Sequence, residues 1–287
     1  MKTWLKGFAL PTQDQEEAYL NTIRRTCYTT WYPFRVLAGR GLEELRFEAV
    51  TIFYGGNGPG KSTLLNLIAD KLGLERESPG SRSEFFDRYV SMCRADKAGI
   101  PPGSRMITSD DVFNHMLDMR RLNLGINRRR QELFDDWVRD RSTPSRMTSM
   151  ADYEELSRVV DSRRMTQSEF VRRRLGGNVP EHSNGESAFI YFNEKIQDNA
   201  LYLLDEPENS LSPVRQLELA RFLEDSARFY DCQLVLATHS LFLLAMRGAR
   251  VYDLDDSPAR VKDWTELENV RAYHRFFQEH SAAFGDG

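Results

Sequence analysis

The residues with the clearest chemistry run Gly55-Gly56-Asn57-Gly58-Pro59-Gly60-Lys61-Ser62-Thr63. They fit the pattern Gly-x-x-x-x-Gly-Lys-Ser/Thr, a loop whose backbone N–H groups face a polyphosphate. Side chains at the glycine positions would block the approach of such an anion. On this reading Gly55, Asn57, Gly58, Gly60, Lys61, Ser62 and Thr63 bind phosphate, with Lys61 reaching the β- and γ-phosphates and Ser62 offering its hydroxyl to Mg²⁺. Two more groups carry chemistry in the second half of the chain. Asp205-Glu206-Pro207 closes the apolar run Ala200-Leu201-Tyr202-Leu203-Leu204. There Asp205 can hold Mg²⁺ directly or through water, and Glu206 can orient or deprotonate an attacking water. Thr238-His239-Ser240 closes a second run, Gln233-Leu234-Val235-Leu236-Ala237, and so aims His239 at the γ-phosphate.

These groups need particular elements to hold them. Ala49 to Tyr54 is β-branched and aromatic and predicts a strand. Ser62 to Leu72 carries Leu64, Leu65, Leu67, Ile68 and Leu72 at helical spacing. Strand, glycine loop and helix in that order turn the positive helix end toward the phosphates. The runs at 200–204 and 233–237 are continuously apolar, as in strands covered on both faces of a parallel sheet. Ser212-Pro213 predicts a helix start, with Arg215 to Tyr230 as its amphipathic body. Arg250 to Leu254 reads as a last strand and Thr265 to His280 as a closing helix.

Upstream, residues 1–10 predict an edge strand and Asp14 to Cys27 a short helix. Arg35-Val36-Leu37 and Leu45-Arg46-Phe47 predict strands about the turn at Gly39 to Gly41, forming an antiparallel layer. Tyr32 and Phe34 could stack on an adenine; a place in the core is the favoured reading. Residues 75–103 read as irregular, Arg105 to Thr108 as a short strand, and Ser109-Asp110-Asp111 as the cap of a helix from Val112 to Leu122.

With 287 residues, 40% of them hydrophobic, the chain suits one large α/β domain spanning 1–287 with a helical lobe inserted at 75–182. The net charge of −4 gives no global pull onto nucleic acid or an anionic membrane. Cys27, Cys93 and Cys232 are too far apart for metal-ligand spacing and read as free thiols in a reducing cytoplasm. No stretch is apolar for long enough to span a bilayer, and the start lacks a secretory core. Arginines gather at 128–130 and 172–174, a surface that a nucleic acid or partner would fit. The interleaved acids, from Asp135 to Asp161, favour a solvated helical lobe instead.

The phosphate loop, Leu-Leu-Asp-Glu-Pro at 203–207 and Ala-Thr-His-Ser at 237–240 together resemble the ATP-binding-cassette ATPases. That family opens a helix between the first two with a signature segment, and His182-Ser183-Asn184-Gly185-Glu186-Ser187 lies at the matching distance. The altered signature is similar to that of bacterial standalone proteins identified only as AAA-family ATPases, relatives of chromosome-condensing and DNA-repair ATPase heads. The likeness covers Tyr32 to Leu72 and His182 to the end.

The resemblance implies a mostly parallel core sheet flanked by helices, with an N-terminal antiparallel layer. It implies that Lys61, Glu206 and His239 are catalytic, with Glu206 the base and His239 the γ-phosphate sensor. Ser62 and Asp205 would serve Mg²⁺, and Asp110 would join them where transporter subunits place a Gln. Ser183, Gly185 and Glu186 would serve the nucleotide of a second subunit. The implied protein is a cytoplasmic Mg²⁺-ATPase, a homodimer on ATP binding, that drives or gates a protein partner. An ATP-switched module holding a nuclease or toxin, as in phage defence, is the alternative, and a DNA-repair ATPase a third. The altered signature weighs against a transporter motor, and the Glu206–His239 pair suits water rather than a small-molecule hydroxyl as nucleophile.

Overall fold

The computed structural model describes residues 2–24, 27–28, 30–56, 58, 60–142, 153–175 and 184–285. The chain divides into two compact units, Met1–Val112 with Asn184–Gly287, and Phe113–Ser183.

The first unit contains two sheets. In the smaller, β1 (Leu5–Ala9) lies between β2 (Leu45–Arg46) and β4 (Arg94–Lys97), antiparallel to both. The first strand is therefore central, not an edge, because its two partners arrive from distant parts of the chain. The larger sheet has the order β5-β6-β7-β3-β8-β9, where β3 is Val50–Tyr54, β5 Arg105–Thr108, β6 Leu201–Asp205, β7 Gln233–Ala237, β8 Arg250–Asp253 and β9 Arg260–Lys262. All neighbours are parallel except β8 and β9. Every residue of β3 and β7 is buried, which is why both runs lack polar alternation.

Helix α1 spans Gln13–Leu20, α2 Lys61–Leu72 and α3 Phe86–Met92. Leu64, Leu65, Leu67 and Ile68 of α2 are fully buried in the main core, with Phe53 of β3, Leu203 of β6 and Val235 of β7. After α7 (Asn184–Lys195), α8 (Pro213–Phe229) begins at the N-cap Ser212, and α9 (Leu241–Leu244) and α10 (Glu268–Glu279) follow β7 and β9.

Several local expectations change. Residues 35–37 form turns rather than a strand: Arg35 has φ of 66°, outside extended geometry, and its N–H donates to Glu16 Oε2 at 2.8 Å. Residues 75–103, read as irregular, contain α3 and β4. Ser109, Asp110 and Asp111 form the first turn of α4 (Ser109–Ser142), so the helix begins three residues before the expected Val112. Thr108 N donates to Asp111 Oδ2 at 2.7 Å and Asp111 N donates to Thr108 Oγ1 at 3.3 Å.

The second unit begins at Phe113, not at 75, because β4 and β5 pair within the sheets of the first. It holds most of α4, then α5 (Tyr153–Arg164) and α6 (Gln167–Arg174), around a small core of Leu133, Phe170 and Val171. Thr166 closes a capping box with Glu169 at the start of α6. Its arginines find acids in their own chain: Arg129 pairs with Glu132 at 2.7 Å and Arg174 with Asp161 at 2.7 Å.

Candidate functional site

The carboxyl ends of the parallel strands lie level. Thr108 aligns with Asp205, Asp205 with Ala237, and Ala237 with Phe53. The strand carrying Asp205 is thus not the direct neighbour of the strand leading into the phosphate loop; β7 stands between them. Asp205 still reaches across that strand, and Ser62 Oγ donates to its Oδ1 at 3.0 Å. The loop closes at Gly60, the N-cap of α2, with φ of 92°. A Cβ there would meet Leu37 Cδ2 at 2.6 Å, so both backbone and packing demand glycine.

Lys61 is only 4% exposed. Its ammonium donates to the carbonyls of Gly55 at 2.8 Å and Gly56 at 3.0 Å, and lies 3.3 Å from His239 Nε2 and 3.9 Å from Glu206 Oε1. Burial pushes its pKa down, and Glu206 and Asp205 partly oppose that. Glu206 has φ of 49°. A non-glycine residue in that region stores about 1–2 kcal/mol of strain. The turn puts Glu206 Oε1 3.0 Å from His239 Nε2, while its Oε2 accepts from Asn209 Nδ2 at 3.0 Å. A single imidazole nitrogen therefore faces both the carboxylate and the ammonium.

Burial pushes the Asp205 carboxyl up to about 6, helped by Glu206 and Glu208 and opposed by the Ser62 hydroxyl. A hydroxyl and a carboxylate are hard oxygen donors and fit Mg²⁺, which takes one or two protein carboxylates and completes its shell with phosphate and water. Among the described residues no group of three or more His, Cys, Asp or Glu could hold a metal alone. Ser62 and Asp205 thus suit a cation that arrives with a polyphosphate.

Asp110 is exposed on the first turn of α4. Its neighbour Asp111 is buried and already occupied, accepting from Ser78 N at 2.7 Å, Thr108 N at 2.7 Å and Thr108 Oγ1 at 2.9 Å. Asn57 and Ser183 lie outside the described residues. Gly185 and Glu186 open α7 and form a second cluster with α8, where Glu186 Oε1 accepts from Arg215 Nη2 at 3.2 Å and Arg215 Nη1 donates to Glu218 at 2.6 Å. A Cβ at Gly185 would sit 3.5 Å from Arg215 Cγ, an ordinary contact, so packing within the chain does not itself require glycine there.

Tyr32 and Phe34 are used inside the fold. Phe34 is buried and stacks on Tyr19 with centroids 5.1 Å apart; Tyr32 stacks on Phe86 at 6.0 Å. Two residues given no role by sequence reasoning touch the site. Asp255, after β8, accepts from Gly56 N with both oxygens at 2.8 and 2.9 Å. Glu208 Oε1 accepts from the backbone of His239 at 2.7 Å. Glu208 had a readable signal, a further acid two residues past Glu206 in the turn that ends a buried strand. Asp255 had none, since only the parallel pairing of β8 with β3 brings it to the loop.

A family model described as "AAA domain, putative AbiEii toxin, Type IV TA system" matches residues 187–245, from α7 through α9. The thiamine import ATP-binding protein ThiQ of Shigella sonnei is 25% identical over 217 residues, covering 74% of this chain and 79% of that protein. The chain is thus similar to ATP-binding proteins of the cassette type. Two solved structures are more distant. The Smc head domain of Pyrococcus furiosus, bound to the C-terminal domain of ScpA, has a TM-score of 0.39 at 12% identity, covering 83% of this chain and 95% of that one. A nucleotide-free ATP-binding cassette from an ABC transporter has a TM-score of 0.40 at 13% identity, covering 80% and 87%. No described helix is long and apolar enough to cross a membrane.

Proposed function

We propose that this chain binds ATP with Mg²⁺ and hydrolyses it as half of a head-to-tail dimer with ATP sandwiched between copies, and that the clamp motion drives or gates a protein partner. The observation that carries the reading is the joint placement of Lys61, Ser62, Asp205, Glu206 and His239. Lys61 Nζ lies 3.3 Å from His239 and 3.9 Å from Glu206, and Ser62 bonds Asp205 at 3.0 Å. Five groups from the phosphate loop and two strand ends converge where a triphosphate would lie.

Each side chain then has a task. Backbone N–H groups at the start of α2 and in the loop hold the phosphate oxygens. Lys61 exchanges the carbonyls of Gly55 and Gly56 for β- and γ-oxygens. Glu206 orients a water and accepts its proton as the oxygen attacks phosphorus. The bond to the ADP oxygen breaks, and His239 Nε2 donates to the γ-phosphate oxygens as they are displaced. Ser62 and Asp205 would hold Mg²⁺, which when bound would supply charge neutralisation on the phosphates. In the dimer, the helix end at Gly185 and Glu186 of one copy supplies N–H donors to the nucleotide of the other, and Ser183 serves the same nucleotide. Asp110 would join the metal shell only by reaching in from the exposed turn after Thr108.

The chain acts as one ATPase domain with an inserted helical lobe, in the cytoplasm, where the thiols of Cys27, Cys93 and Cys232 stay reduced. A second reading, in which ATP holds or releases a toxin or nuclease effector, is favoured by the toxin–antitoxin wording of the matching family model.

Purified protein should hydrolyse ATP only with Mg²⁺, and Lys61→Ala should reduce turnover about 100-fold or more. A Lys61→Ala protein as active as the parent would overturn the assignment.

A further inference from the structure

Glu208 is 8% exposed and sits in the turn after β6, three residues beyond Asp205. Its Oε1 accepts from Thr238 Oγ1 at 2.7 Å, from His239 N at 2.7 Å and from Ser240 N at 3.2 Å. Its Oε2 is buried with no hydrogen-bond partner among the described residues. Burying a carboxylate with one oxygen crowded and the other bare is poor design for stability; an apolar side chain of similar volume would serve better. What the arrangement provides is a fixed backbone under His239.

We propose that Glu208 is the positioning residue for His239, tying the turn that carries Glu206 to the loop that carries the histidine. A second tie runs in parallel. Ser240 Oγ donates to Gln216 Oε1 at 2.7 Å, and Gln216 Nε2 donates to Leu211 O at 3.0 Å, at the far end of the same turn. The turn itself is stiff: Glu206 N donates to Ala237 O at 2.9 Å, Asn209 N to Glu206 O at 3.1 Å, and Leu211 N to Glu208 O at 3.0 Å. Glu206 and His239 therefore approach to 3.0 Å from two loops that Glu208 locks together. Glu208 bonds the backbone of His239 and the residues on either side of it, so it acts through the histidine.

The proposal rests on the ATPase reading and predicts a pattern that a merely structural carboxylate would not produce. We would measure kcat and KM for ATP hydrolysis, and equilibrium ATP affinity, for Glu208→Ala, Glu208→Gln, His239→Ala and the Glu208→Ala/His239→Ala double variant. Glu208→Ala should lower kcat about 100-fold, the scale of a misplaced catalytic group, with ATP affinity within about twofold of the parent. Glu208→Gln keeps an oxygen acceptor and the volume, and should recover part of that loss. The double variant should be no slower than His239→Ala alone, within about threefold, because the two residues act as one unit.

Losses that multiply in the double variant would overturn the proposal, as would a fall in ATP affinity matching the fall in kcat, or a Glu208→Ala kcat within twofold of the parent. If Glu208→Ala does not fold, Glu208→Gln alone and combined with His239→Ala carries the same criteria. If His239→Ala hydrolyses ATP at the parent rate, the ATPase reading of His239 fails and the clamp falls with it. That result is distinct from one in which His239 matters and Glu208 does not.

Discussion

Lys61 and Asp205 are both buried away from their ordinary titration, the lysine lowered and the aspartate raised to about 6. The aspartate shift has a definite sign. The folded chain keeps this proton between the ordinary value of 3.8 and about 6, where the unfolded chain has lost it. Asp205 therefore favours folding below about pH 4, and that contribution disappears as pH rises through about 6, a swing of roughly 3 kcal/mol at most. Melting of the nucleotide-free protein with a chelator, followed from pH 4 to 8, should show Asp205→Asn more stable than the parent at pH 8 and no more stable at pH 4. Because Mg²⁺ needs the ionised carboxylate, Mg²⁺-dependent ATP affinity should fall below about pH 6 in the parent, and Asp205→Asn should lack the Mg²⁺ enhancement throughout. Glu206→Gln keeps the size of the side chain but cannot take a proton. It should lower kcat about 100- to 1,000-fold, as for loss of a general base, while ATP affinity measured by equilibrium binding stays near that of the parent.

At the scale of elements, the parallel strands position everything. Leu204, fully buried in β6, directly precedes Asp205 and Glu206. Leu204→Ala should cost about 2–5 kcal/mol in urea unfolding. Gly58 and Gly60 offer a sharper comparison. Both have positive φ, 96° and 92°, but a Cβ at Gly58 meets nothing within 4 Å whereas one at Gly60 strikes Leu37 at 2.6 Å. Gly58→Ala should lose only the backbone strain of about 1–2 kcal/mol. Gly60→Ala should lose more, with a matching drop in ATP affinity, and calorimetric titration would separate the two.

The elements that bear on the site were legible in sequence because their signals are local: apolar runs ending in Asp205 and His239, a glycine loop between strand and helix, Ser212 as cap. What was not legible is non-local. The insertion of β7 between β3 and β6, and the central place of β1, depend on pairings between distant segments. Helix α3 hides in a charged stretch because only Phe86 and Tyr89 turn to the core. The left-handed Arg35 carries no glycine to announce it.

On the scale of the whole molecule, the proposed dimer draws on two clusters of one chain. Lys61, Ser62, Asp205, Glu206 and His239 form one, and Gly185, Glu186 and Arg215 the other. Pairing two copies head to tail would complete two equal sites, a closed arrangement with twofold symmetry. Such a pair would gain its bridging contact only with the γ-phosphate present, so ATP would shift the population toward it and hydrolysis would release it. The most direct measurement is the solution mass of the Glu206→Gln protein by light scattering on a sizing column, with and without Mg-ATP. The account predicts a monomer without nucleotide and a dimer with ATP, reversed by exchange into ADP. A mass that ignores ATP, in protein that demonstrably binds it, would contradict the sandwich.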